Sequence, residues 1–162
     1  MMAPEVPIVQ VIARAIIPLD REVVMLEVPG DRGNILTLPG GAVRFGETGT
    51  DTLTQFLRTE AGLQARVTRL VYATEVFDGR ALHEIGLYYL AELADDAEMA
   101  ADAPLAPVLQ VVDPRTAVVP IEPRFLRALL IEDLETGFVR PVAHVVAWQA
   151  ANETSPEVSI TW

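Results

Sequence analysis

Glu60 lies on a stretch that reads as a helix, where Phe56, Thr59 and Glu60 share one face at an i, i+3, i+4 spacing. That face presents a phenyl ring, a hydroxyl and a single carboxylate. Downstream, Glu75 and Glu84 lie in two apolar runs joined by Asp78-Gly79. If that dipeptide makes a two-residue turn, both carboxylates point to the same sheet face as diagonal neighbours roughly 7–8 Å apart. With Glu60 they could then form a metal site; the alternative is a plain polar sheet face. His83 falls on the other face with Ile85, Leu87, Tyr89 and Tyr72, as a half-buried structural histidine. Upstream, Gly40, Gly41 and Gly46 punctuate a loop that holds Arg44, which could meet a phosphate or be a plain solvated loop arginine.

What is missing narrows the chemistry further. The 162 residues contain no cysteine, so disulfides, thiolate metal sites and a cysteine nucleophile are excluded. Only His83 and His144 are present, too few for a His-rich zinc site. All 12 basic residues are arginine, which removes Schiff-base chemistry and a P-loop lysine. With 23 acidic residues the net charge is −11, and such a chain repels nucleic-acid backbones and anionic membranes. Met1 to Pro18 lacks the positive start and unbroken apolar stretch of a signal peptide, and no run is long enough to cross a bilayer. The expectation is a soluble cytoplasmic protein with a small-molecule partner, and neither nucleic acid nor membrane.

The elements that must position these groups follow from pattern. Ile8 to Ile17 and Glu22 to Val28 read as strands joined around Pro18–Asp20. Pro29 to Asn34 is a turn cluster before a short apolar piece, Ile35 to Leu38, and Pro39-Gly40-Gly41 breaks the chain. Thr48 to Ala61 reads as a helix: Thr48 with Asp51 resembles a capping box, Leu53 and Leu57 share a face, and Gly62 supplies the stop. Arg69 to Phe77 and Ala81 to Leu93 read as a hairpin. Ala94 to Pro107 reads as a surface loop, Leu109 to Val112 and Ala117 to Val119 as short strands, and Pro123 to Glu135 as a second helix ended by Gly137. Phe138 to Gln149 reads as the last strand. The whole is one domain, 1–162, with a core of about 8–149 and a tail at 150–162. Two helices among hairpins predict an α+β fold with a mixed sheet packed between helices.

The segment Leu38-Pro39-Gly40-Gly41-Ala42-Val43-Arg44-Phe45-Gly46-Glu47, followed by a helix ending Glu60-Ala61-Gly62-Leu63, resembles the Nudix box, G-x5-E-x7-R-E-U-x-E-E-x-G-U with U aliphatic. Gly41, Glu47, Leu57, Glu60, Gly62 and Leu63 fall in register. The strands holding Glu75-Val76-Phe77 and His83 to Leu90, a late helix and a final strand extend the likeness over most of 8–149. The box departs at three positions: Gln55 stands at the arginine, Phe56 at the first helix glutamate, and Thr59 at the first of the glutamate pair.

The resemblance implies a Nudix (MutT-like) fold. It also implies Mg²⁺ or Mn²⁺ as cofactor, a nucleotide or diphosphate compound as partner, and a homodimer as the assembly. It makes Glu60 and Glu47 the catalytic and metal-binding candidates, with Glu75 and Glu84 as added ligands and Gly40, Gly41 and Arg44 as substrate contacts. The function expected first is metal-dependent hydrolysis of a nucleoside-diphosphate-linked compound at a weakened or relocated site. The alternative is a Nudix-fold binding or regulatory module without catalysis, or, less favoured, a dimeric scaffold.

Overall fold

The computed structural model describes residues 5–96, 99–148 and 157–162. Along the chain run β1 (Ile8–Ile16), β2 (Pro18–Leu19), β3 (Glu22–Gly30), β4 (Gly33–Thr37), β5 (Gly40–Ala42), α1 (Gly49–Thr59), β6 (Ala65–Phe77) and β7 (Leu82–Leu93). A short 3₁₀ turn at Ala106–Val108 precedes β8 (Leu109–Val112), α2 (Phe125–Thr136), β9 (Ala143–Trp148) and β10 (Glu157–Thr161). The helix α1 begins as its sequence dictates: the Thr48 side chain accepts from the Asp51 N–H at 3.1 Å. It stops at Gly62, whose φ of +67° suits a residue with no Cβ.

Six strands form one mixed sheet in the order β10-β9-β6-β7-β1-β5. β1 runs parallel to β7 and β6 parallel to β9, and the other neighbours are antiparallel. Because side chains alternate along a strand, the two faces bury different residues. Ala13, Ala15, Ile17 and Ala91 pack with Leu53 and Leu57 of α1 on one face. Ile16, Tyr72, Tyr88 and Val145 pack on the other face with Phe125, Leu126, Leu129 and Leu130, four residues of or at the start of α2. The sheet is thus held between helices, as the α+β pattern predicts.

Four differences from the sequence reading stand out. A second, smaller sheet exists, in which β3 pairs with β2, β4 and β8. Pro39-Gly40-Gly41 does not simply break the chain, since Gly40–Ala42 is an edge strand on β1. Ala117–Val119 is no strand; the chain there contributes only an isolated bridge between Leu36 and Ile121. The C-terminal tail contains β10, paired antiparallel with β9 from Glu157↔Trp148 to Thr161↔His144. The expected end of the last strand at Gln149 lies outside the described residues.

Among the described residues, one charged residue is buried, in the core between α2 and the sheet. Asp133 is 2% exposed and accepts from the Tyr72 hydroxyl at 2.5 Å and from the Arg140 Nε at 2.9 Å. Arg140 also reaches Glu132 and lies 3.7 Å from the centre of the Trp162 ring, tying the final residue to this cluster. Burial, and then Asp133, push the Tyr72 hydroxyl above its ordinary range, so it stays a donor. Tyr72→Phe removes that donor and leaves a buried carboxylate oxygen short of a partner, a loss of about 1–3 kcal/mol. Urea unfolding with an unchanged slope and a lower midpoint is the expected result; an unchanged midpoint would show that the bond contributes nothing.

Candidate functional site

The site begins where β5 meets β1. A Cβ on Gly40 would lie 2.0 Å from the Ala13 carbonyl oxygen, and Gly40 has φ +150°, so only glycine lets the two backbones approach this closely. The approach is pinned on both sides of β5 by Ala15 N–H to Pro39 O and Val43 N–H to Val11 O, each 2.8 Å. On the α2 face of the sheet, Arg14 turns its guanidinium onto this loop. Its Nη1 donates to the carbonyls of Leu38 (3.2 Å) and Gly40 (3.1 Å). Sequence reading passed over Arg14 as an interruption; its signal was a lone charge inside the apolar run Val11 to Ile17.

On the opposite face Phe56 covers the loop. A Cβ on Gly41 would lie 3.9 Å from the Phe56 ring, and Phe56 packs against the buried residues beneath α1. The phenyl ring therefore widens the buried stripe of the helix. Thr59 returns its hydroxyl to the Gln55 carbonyl at 2.9 Å, within the helix itself. Glu60 is exposed at the helix C-terminus, where its carbonyl accepts from the Leu105 N–H at 2.8 Å. Glu47 stands before the other end, half-buried, and accepts from the Thr52 hydroxyl at 3.3 Å. Glu47 precedes α1 and Glu60 caps its C-terminus, so the 11-residue helix stands between them. Arg44 is exposed, and its carbonyl closes the turn onto the Glu47 N–H at 3.0 Å.

The hairpin does not assemble the added carboxylates. Asp78 accepts from the N–H groups of Arg80, Ala81 and Leu82 at 2.8–3.1 Å, which draws five residues into the connection instead of two. Phe77 therefore pairs with His83, Val76 with Glu84, and Glu75 with Ile85. The register is three residues from the one a two-residue turn gives, and an odd shift exchanges faces. Glu75 and Glu84 lie on opposite faces of the sheet. Among the described residues no group of three or more His, Asp or Glu side chains could hold a metal ion. The metal set Glu47, Glu60, Glu75 and Glu84 is thus dispersed, and the residues present do not fit the divalent ion that a Nudix box implies.

The register brings together groups that sequence reading kept apart. Glu75 bridges the chain's two histidines, with Oε1 at 3.2 Å from His83 Nε2 and Oε2 at 2.8 Å from His144 Nε2, across three adjacent strands. His83 also stacks on Phe77, which stacks on Trp148. Tyr72, expected beside His83, faces the other way opposite Tyr88. On that other face Glu84 is half-buried, and burial raises its pKa while the Arg14 charge opposes the rise.

A cleft of about 510 Å³ opens beside this second face. Its walls are the β3–β4 turn with Arg32 and Asn34, the segment from Pro120 to Phe125, and the sheet residues Val76 and Ala147. A larger hollow, about 650 Å³, lies beyond the other end of α1 near Arg58, Arg66 and Glu92. The smaller one adjoins the site: Val76 is the cross-strand partner of Glu84, and both sheets contribute to its walls.

No protein-family model and no curated protein matches this sequence. Solved structures do resemble the fold. A UDP-X diphosphatase superposes with TM-score 0.64 at 17% identity, covering 90% of this chain and 69% of its own. A MutT protein from Bacillus halodurans gives TM-score 0.64 at 14% identity, over 93% and 97% of the two chains. A NUDIX hydrolase from Nitrosomonas europaea gives 0.62 at 16%, over 94% and 83%. This chain has the Nudix hydrolase fold. Among the described residues no helix is long and apolar enough to cross a membrane.

The bridge at Glu75 has a pH signature. The hydrogen bond from His144 is the main cause that holds the Glu75 carboxyl below its ordinary value of 4.5, with His83 adding to it against partial burial. A depressed carboxyl contributes stability that is present above its unfolded pKa and is lost as pH falls through the folded value. The stability difference between the wild type and Glu75→Gln is therefore expected to shrink as pH falls below about 4.5. Urea midpoints at pH 3, 4, 5 and 7 measure it; a difference that does not change with pH would remove the carboxylate from this role.

Proposed function

We propose that this chain binds a nucleoside-diphosphate-linked small molecule in the cleft beside Glu84 without catalysing metal-dependent hydrolysis. The observation that carries the reading is Phe56, whose ring packs over Gly41 where the box would place a carboxylate. Thr59, bonded back to its own helix, offers no replacement ligand, and Glu60 and Glu47 stand at opposite ends of α1. Removing one group that stabilises transition-state charge costs about 10²–10³ in rate, and two such groups are absent here. The ligand class comes from the fold, since similar structures include a UDP-X diphosphatase and MutT proteins. A small molecule suits a chain of net charge −11 better than a nucleic acid does.

A second reading retains hydrolysis, with Glu60 and Glu47 as the catalytic pair and Mg²⁺ or Mn²⁺ supplied with the substrate. What favours it is that Glu60 is exposed and its carboxylate makes no hydrogen bond or ion pair among the described residues. One set of measurements separates the two. The protein is incubated with nucleotide sugars, dinucleotides and nucleoside triphosphates, with Mg²⁺, with Mn²⁺, or with EDTA. The binding reading expects at least one compound to raise the melting temperature in EDTA, by an amount equivalent to about 2.7 kcal/mol at 100 times its Kd. It expects no metal-dependent release of phosphate products. Product release that disappears in Glu60→Gln would install the hydrolase reading instead.

A further inference from the structure

The mismatch between the fold's usual metal and these residues leaves a question of charge: what receives the ligand's phosphates? The Arg14 side chain bonds to the box loop, and it does so through backbone carbonyls. An arginine carries five N–H donors. Both bonds to the loop use Nη1, and the Nε and Nη2 donors meet no acceptor among the described residues. The guanidinium is half-buried, where a charge–charge interaction is screened less than at an open surface. It is fixed in place by two carbonyls whose positions are themselves set by the close packing of β5 on β1. A cation held this way is preorganised, and loses little freedom on meeting an anion.

Its surroundings define what it would take. Arg14 lies opposite Tyr88 and Gly40, and Glu84 lies opposite Gln10 and Val76, all on the face that borders the cleft. From Gln10 to Arg14 is four residues of strand, about 13 Å. Arg14 stands outside the cleft's lining, so a ligand that meets both must extend along this face, as a nucleoside lengthened by a diphosphate does and a lone phosphate does not. Glu84 stands between them as the opposing charge, without a hydrogen-bond partner among the described residues, and its carboxylate would repel the arriving phosphates.

We infer that Arg14 takes the place of the divalent ion in this chain, anchoring the box loop through Leu38 and Gly40 and offering its remaining donors to the diphosphate of a cleft-bound nucleoside compound. The inference rests on the binding reading above and deepens it by naming the group that holds the phosphates. Binding is then independent of metal and limited by Glu84.

Calorimetric titration of the full chain with inorganic pyrophosphate and with ADP, in EDTA and in Mg²⁺, tests it. The expected results are binding in EDTA that Mg²⁺ does not strengthen, at least a tenfold loss in Arg14→Gln, and a severalfold gain in Glu84→Gln. Arg58→Gln, at the distant end of α1, controls for overall charge and is expected to bind as the wild type does. Circular dichroism checks the fold of each variant; if Arg14→Gln does not fold, Glu84→Gln decides, and no gain there overturns the inference. Binding that requires Mg²⁺, or that Arg14→Gln leaves intact, also overturns it. If some nucleotide compound stabilises the wild type and Arg14→Gln equally, the binding reading stands and only the role of Arg14 falls. If no compound stabilises the wild type in any condition, the binding reading itself falls.

Discussion

Everything at the candidate site depends on how closely two backbones approach each other at Gly40. No side chain fits between β5 and the Ala13 carbonyl, so the three residues of β5 sit hard against β1 and close the edge of the large sheet. From that one contact the rest is placed. The loop carbonyls come within reach of Arg14 on one face. Gly41 comes under Phe56 on the other. The turn from Arg44 to Glu47 then delivers the chain to the Thr48 cap with the helix correctly aimed. A bulkier residue at position 40 would displace all of these together.

The two faces of that loop show how one fold can exchange one kind of chemistry for another. A metal site needs several carboxylates that face each other and an ion to relieve their repulsion. Here the helix contributes an aromatic ring, which gains from burial what a carboxylate would lose by it, and the sheet contributes a guanidinium that needs no ion at all. The charge is therefore supplied from within the chain. That arrangement is consistent with a protein whose surface is strongly acidic and whose basic residues are all arginine, because each of those twelve cations stays protonated at any physiological pH.

Local signals in the sequence were read correctly where local chemistry settles the structure. Thr48, Asp51 and Gly62 fixed the ends of α1, and the spacing from Gly41 to Leu63 pointed to the box and so to the fold. The hairpin formed as expected, but its two-residue turn and register did not, for an equally local reason that residue identities alone conceal. Asp-Gly makes a tight turn only if the aspartate leaves the following amides alone, and Asp78 instead binds three of them. That single side chain moved Glu75 to the face of His83 and dispersed the proposed metal ligands. Long-range features were harder to read. β10 alternates Val158 and Ile160 with Glu157, Ser159 and Thr161, a short strand signal that the tail reading passed over, and it is exposed at every residue and held by pairing with β9. Arg14 is visible as an oddity in a strand, but its purpose appears only when Leu38 and Gly40, 24 and 26 residues on, are brought beside it.

The place of β6 at the interior of the large sheet bears on how the molecule assembles itself. One flank is met by β7, which follows it directly, while the other is met by β9, where Tyr72 pairs with Ala143 across most of the second half of the chain. The entropy of closing a loop rises with its length, so the first pairing is available early and the second only after a much larger search. The face that Glu75 shares with His83 is thus formed by a local hairpin, and its link to His144 waits on a distant strand. By the same reasoning β1 also waits, since Ile8 pairs with Leu82 across a loop as long as the one that separates Tyr72 from Ala143, so both flanks of the local β6–β7 hairpin are closed by distant strands.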